Sequence, residues 1–113
     1  MTAESVLAGG VPADSPEIAG IRYFGTIREA AGKSDEEWSL FPDSTVYNLL
    51  QAVSDVYGDK MRDELFDIKV PGVLRDDLMV SVNEAVVNNV KAVETAVRPG
   101  DVVALFPIFP GGG

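Results

Sequence analysis

Two kinds of hydrophobic repeat divide this chain. Ile18-Ala19-Gly20-Ile21-Arg22-Tyr23-Phe24 alternates as a strand, with Ile21 and Tyr23 on one face and Arg22 and Phe24 on the other. A second alternation from Glu36 to Phe41 sets Trp38 and Leu40 against Glu37 and Ser39, a strand expected to run antiparallel to the first. Between them, Gly25 to Gly32 predicts about one helical turn, with Thr26 as N-cap and Gly32 as the stop. From Thr45 to Tyr57 the period changes to that of a helix. Val46, Leu49, Leu50, Val53 and Val56 or Tyr57 recur at helical spacing after Asp43-Ser44-Thr45, and Gly58 supplies the end. That stripe reads as core.

The second half is less regular. Lys60 to Phe66 predicts a helical turn that carries Leu65 and Phe66 inward, and Pro71-Gly72 a turn. Leu78 to Asn83 reads as a strand, with Val80 and Val82 inward and Met79 and Ser81 outward. Asn83-Glu84 predicts a tight turn into Ala85-Val86-Val87, since Asn tolerates positive φ. Asn88 to Ala96 connects, Arg98-Pro99-Gly100-Asp101 turns, and Val102 to Phe106 forms the last strand, ending there because Pro107 cannot continue a ladder. Its apolar character on both faces predicts a central position.

A helix after the first hairpin must cross over, and the right-handed rule sets the last strand beside the first. The expected fold class is α+β, a roll with a mixed sheet of about five strands and one main helix across one face. Ile21, Tyr23, Val80, Val82, Val103 and Leu105 then belong to the core. Arg22, Phe24, Met79, Val102, Ala104 and Phe106 are left on the open face, several of them apolar, as on a docking surface. Residues 1–17 read as a mobile arm, with docking of Ser5-Val6-Leu7 as the alternative. Residues 18–106 read as the domain and 107–113 as a flexible tail.

Composition narrows the chemistry. The 113 residues suit one small domain, and the net charge of −9 gives no basic patch for nucleic acid or an anionic membrane. Cysteine and histidine are both absent, which removes thiolate nucleophiles, Cys/His metal sites and imidazole catalysis. The beginning of the chain lacks a positive region followed by an apolar core, and no apolar run approaches a membrane span, so a cytoplasmic location is expected. Asp35-Glu36-Glu37 and Asp76-Asp77 read as solvated loop or strand edges, with no nucleophile and base paired.

The tail, Pro107-Ile108-Phe109-Pro110-Gly111-Gly112-Gly113, reads either as a tether ending in a free α-carboxylate or as a frayed terminus. Its prolines limit the entropy lost on ordering, and its glycines carry no side chain to clash in a narrow site. Fully extended it spans about 20–25 Å, at roughly 3.3–3.6 Å per residue.

Phe24 to Gly32, Ser81-Val82-Asn83, Gly100 to Pro107 and the terminal glycines resemble the ubiquitin-like β-grasp sulfur carriers, above all the small subunit of molybdopterin synthase. The archaeal ubiquitin-like modifiers are similar as well. The resemblance runs from about Ile18 to Gly113 and implies a β-grasp carrier with no catalytic site and no bound cofactor of its own. It implies that an E1-like adenylating enzyme uses ATP to activate the carboxylate of Gly113, which sulfur transfer then converts to a thiocarboxylate. The tail would next enter the large subunit of molybdopterin synthase and donate sulfur in molybdenum or tungsten cofactor synthesis. By position, Phe24, Val86 and Phe106 would contact the activating enzyme, and Pro107, Ile108, Phe109 and Gly111 would be partner-binding residues of the tail. The family tail usually has two adjacent prolines, an aliphatic residue, one more residue and two glycines. Here Ile108 replaces the second proline and the tail is one residue longer. Either Gly113 is the reactive end, or it is trimmed to expose Gly112, or it is an addition to the natural end. Two other readings stay open: a protein modifier joined through its glycine to lysines of substrate proteins, and a binding module with an inert tail.

Overall fold

The computed structural model describes residues 17–108 apart from Pro42 and Pro71. The expectations for the arm up to residue 16 and for Phe109 to Gly113 lie outside the described residues. Among the described residues, five strands and three α-helices follow the order β1 (Ile18–Tyr23), α1 (Gly25–Ala31), β2 (Asp35–Ser39), α2 (Val46–Tyr57), α3 (Asp59–Leu65), β3 (Leu78–Val82), β4 (Ala85–Val87) and β5 (Val102–Pro107). A single turn of 3-10 helix, Lys91–Val93, interrupts the connection between β4 and β5.

The sheet order is β2-β1-β5-β3-β4, with β1 and β5 parallel and every other pair antiparallel. The C-terminal strand is central, beside the first, as the crossover argument requires. Ile21, Tyr23, Val80, Val103 and Leu105 are buried on the helix side with Val46, Leu49, Leu50 and Val53 of α2. Each fully buried aliphatic side chain of this kind contributes roughly 1.5–3 kcal/mol. This mixed sheet and its helices make an α+β roll of the ubiquitin-like β-grasp type.

Local chemistry explains the boundaries. Thr45 caps α2 in a capping box: its hydroxyl accepts from the Asn48 N–H, and the Asn48 side chain accepts from the Thr45 N–H. Asn83 and Glu84 both have positive φ, 51° and 74°, as a two-residue hairpin demands. Gly32 ends α1 in the left-handed region.

Three expectations need correction. The segment from Gly25 is a seven-residue helix with Phe24, not Thr26, at the N-cap position and no side-chain cap; the Thr26 hydroxyl instead donates to Glu64 Oε1 at 2.7 Å and ties α1 to α3. The last strand runs one residue past Phe106, because Pro107 opposes Leu78 at a position that needs no N–H from it. Of the two alternatives for the end of the α2 stripe, Tyr57 is the one at the core edge, and Val56 is exposed, which needs no correction. Glu36 is no solvated strand-edge carboxylate. It lies opposite Ile21, and its side chain is only 17% exposed. Its Oε2 accepts from the Tyr23 hydroxyl at 2.5 Å, Trp38 Nε1 at 2.6 Å and the Tyr57 hydroxyl at 2.8 Å, while Lys33 pairs with Oε1.

Candidate functional site

The face of the sheet opposite α2 is built by register. Parallel pairing of Arg22 with Ala104 and antiparallel pairing of Ala104 with Ser81 and of Ser81 with Val86 set four residues in one row. The next row holds Phe24, Phe106 and Met79, since Met79 opposes Phe106 and the pairing of Tyr23 with Leu105 carries Phe24 alongside. Phe24 and Phe106 stack with centroids 4.3 Å apart and planes 12° from parallel. The Arg22 guanidinium lies 5.4 Å from the centroid of the Phe24 ring, a cation–π contact.

These rows line a groove of about 620 Å³, closed at one end by Asn83, Glu84 and Val102. Asn83 fixes that end. Its side chain donates to Asp101 Oδ1 and accepts from the Val102 N–H, both at 2.9 Å. Val86, on the short edge strand β4, is 68% exposed and available to a partner. An apolar floor, a stacked aromatic pair and one cation at the rim suit contact with protein better than turnover of a small molecule. Among the described residues no group of three or more carboxylates is placed to hold a metal ion.

A second depression, about 470 Å³, lies between α2 and α3. Its cation, Arg62, is already held by Asp55 and Asp59. Nothing there converges on an open point, so the sheet groove is the better candidate.

Of the residues singled out in the sequence, Phe24, Phe106 and Val86 share this groove. Pro107 lies at the end of β5 and packs over Gly25, outside the groove. Ile108 follows it, its N–H donating to the Asp77 carbonyl at 2.7 Å. Phe109, Gly111, Gly112 and Gly113 lie beyond the described residues. Strand β5 thus forms the floor of the groove and leads directly into the tail. Sequence reasoning left Asn83 and Glu84 as a turn and did not place them at the groove, and it read Asp77 as part of a solvated edge without the carbonyl that receives the Ile108 N–H. The i to i+18 spacing of Asn83 and Asp101 carries no local signal, and a backbone carbonyl carries none at all.

A family model described as the ThiS family matches residues 21–112. Small archaeal modifier protein 3 of Haloferax volcanii is 29% identical over 92 residues, covering 81% of this chain and 96% of that protein. The solution structure of the HVO 2177 protein of Haloferax volcanii superposes with a TM-score of 0.74 at 26% identity, over 93% of this chain and all of that one (100%). The crystal structure of SAMP1 from the same organism gives 0.70 at 25% identity, over 84% of this chain and 99% of that one.

Proposed function

The chain belongs to the ThiS family, and from that premise we propose that it is a sulfur carrier activated at its terminal glycine by an E1-like enzyme. The observation that carries this reading is the continuity of β5. One strand supplies Ala104 and Phe106 to the groove and then runs on through Pro107 into the glycine tail. A partner docked on the groove therefore holds the base of the segment whose end it must reach.

The chemistry needs only the carboxylate of Gly113. A carboxylate oxygen attacks the α-phosphorus of ATP and pyrophosphate leaves, which turns a poor electrophile into an acyl-adenylate. A hydrosulfide equivalent then attacks the acyl carbon, AMP leaves with the electron pair of the broken C–O bond, and a thiocarboxylate remains. Three glycines in sequence let that carbon enter a narrow site without side-chain clash. We assign the sulfur to molybdopterin synthesis, with the large synthase subunit as the acceptor of the tail, on the likeness of the Phe24–Gly32 and Gly100–Pro107 segments to small synthase subunits.

A second reading is favoured by a specific observation, the similarity to a small archaeal modifier protein. In it the same adenylate is attacked by a lysine amine of a substrate protein, giving an isopeptide bond. Both readings share the activation step.

The test is pyrophosphate exchange. With the E1-like enzyme of the same genome, the full chain supports exchange of labelled pyrophosphate into ATP, and a chain lacking Gly111 to Gly113 does not. Exchange that is indifferent to the tail contradicts the activation step. Glycine–glycine remnants on host proteins then select the modifier reading, and their absence beside a thiocarboxylate selects the sulfur donor.

A further inference from the structure

Where β5 gives way to the tail, two contacts from different parts of the chain fix the direction of exit. On one side, the Ile108 N–H donates to the Asp77 carbonyl at 2.7 Å. On the other, the Pro107 ring lies against Gly25. A Cβ built on Gly25 would stand 2.7 Å from Pro107 Cγ and 3.3 Å from Cδ, and Gly25 has φ of +58°. Glycine is required there twice over, for the backbone conformation and for the approach of the proline.

The turn that presents the Asp77 carbonyl is itself braced. Arg75 grips the Asp77 carboxylate with two hydrogen bonds, Nε to Oδ1 and Nη2 to Oδ2, each 2.7 Å. Its remaining arm, Nη1, donates to the Asp63 carbonyl in α3 at 2.9 Å. The Asn89 side-chain amide donates to the Arg75 and Leu78 carbonyls at 2.7 and 2.8 Å, bracketing the turn from the far side. Arg75, Asp77 and Gly25 all lie outside the docking groove.

We propose that this braced turn, with Gly25 opposite, is an aiming device for the tail, and that Arg75 and Asp77 are positioning residues for activation rather than for docking. The inference rests on the proposed carrier function. With Ile108 pinned and Pro107 packed on Gly25, the base of the tail is held in one orientation relative to the groove, which limits the directions in which the glycines can be presented to the activating site. Without the pin the docked complex still forms, but its tail samples directions that miss ATP.

The test uses the full chain and the E1-like enzyme of the same genome, with Arg75→Ala, Arg75→Lys and Gly25→Ala variants. In pyrophosphate exchange with carrier as the varied substrate, Arg75→Ala and Gly25→Ala lower kcat by roughly ten- to a hundred-fold while KM stays within about two-fold, as expected when only orientation is lost. Arg75→Lys recovers part of kcat, since it keeps the charge but not the fork. Hydrogen exchange at the Ile108 amide provides a reading that needs no enzyme: slow in the parent chain, fast in Arg75→Ala. If both variants fold and exchange pyrophosphate with unchanged kcat, or if the Ile108 amide exchanges as fast in the parent chain as in Arg75→Ala, the aiming role is overturned. A parent chain that is not adenylated at all contradicts the carrier reading instead, and the Ile108 exchange rate then still decides whether the turn pins the tail.

Discussion

The Phe24 and Phe106 rings stack 4.3 Å apart across the parallel β1–β5 pair, on the sheet face that carries no helix. Neither ring is needed to fill the core on the other side of the sheet, so the pair is the natural anchor for a docked protein. Aromatic anchors of this kind concentrate binding energy. Phe24→Ala and Phe106→Ala are each expected to weaken docking to the activating enzyme by about 2 kcal/mol. Because the rings contact one another, the double variant loses less than the sum. Titration calorimetry measures both effects, and a fully additive double variant would show that the rings do not bind as a unit.

Glu36 holds the other face together. Its carboxylate joins β1, β2 and the end of α2 through Tyr23, Trp38 and Tyr57. Glu36→Ala leaves these donors without their acceptor and is expected to cost about 2–3 kcal/mol of stability. Urea denaturation should show a lower midpoint at unchanged slope. Docking through the groove should be untouched, because Glu36 lies on the helix side of the sheet.

The same cluster sets the response to pH. Burial pushes the Glu36 carboxyl up, but hydrogen bonds from Tyr23, Trp38, Tyr57 and Lys33 outweigh it and hold the carboxyl below its ordinary value of 4.5. A lowered carboxylate stabilises the fold above its unfolded-state pKa, and that contribution is lost as pH falls through the lower folded value. Tyr23 is displaced upward from its ordinary 10.0, by burial first and then by its bond to Glu36. Its contribution is complete below pH 10.0 and is lost as pH rises beyond it. Thermal unfolding across pH should therefore fall away at both ends, and Glu36→Gln should flatten the acid limb. Asp77, also lowered by its hydrogen bonds from Arg75, is too exposed to dominate that limb.

Much of this molecule is written in its local patterns. The α2 stripe, the Asn83-Glu84 hairpin and the central last strand all follow from periodicity and turn chemistry, because each depends on neighbours within a few residues. The open face was legible too, since alternation in β1, β3 and β5 sends Arg22, Met79 and Ala104 outward together. What escaped the sequence is what forms between distant segments. Glu36 looked like one of three solvated acids until β2 pairing placed it opposite Ile21 and beside Tyr57. Thr26 looked like a cap until α3 brought Glu64 within reach. The Asp77 carbonyl has no signature, and only the end of β5 gives it a partner.

The proposed sulfur chemistry lies at the carboxylate of the glycine tail. The most direct measurement is the intact mass of the full chain after incubation with the E1-like enzyme of the same genome, ATP and a sulfur donor, with fragmentation to locate the change. The expected result is a gain equal to one oxygen replaced by sulfur, confined to the terminal glycine and dependent on ATP. An unchanged mass under conditions in which the enzyme activates ATP would contradict the account.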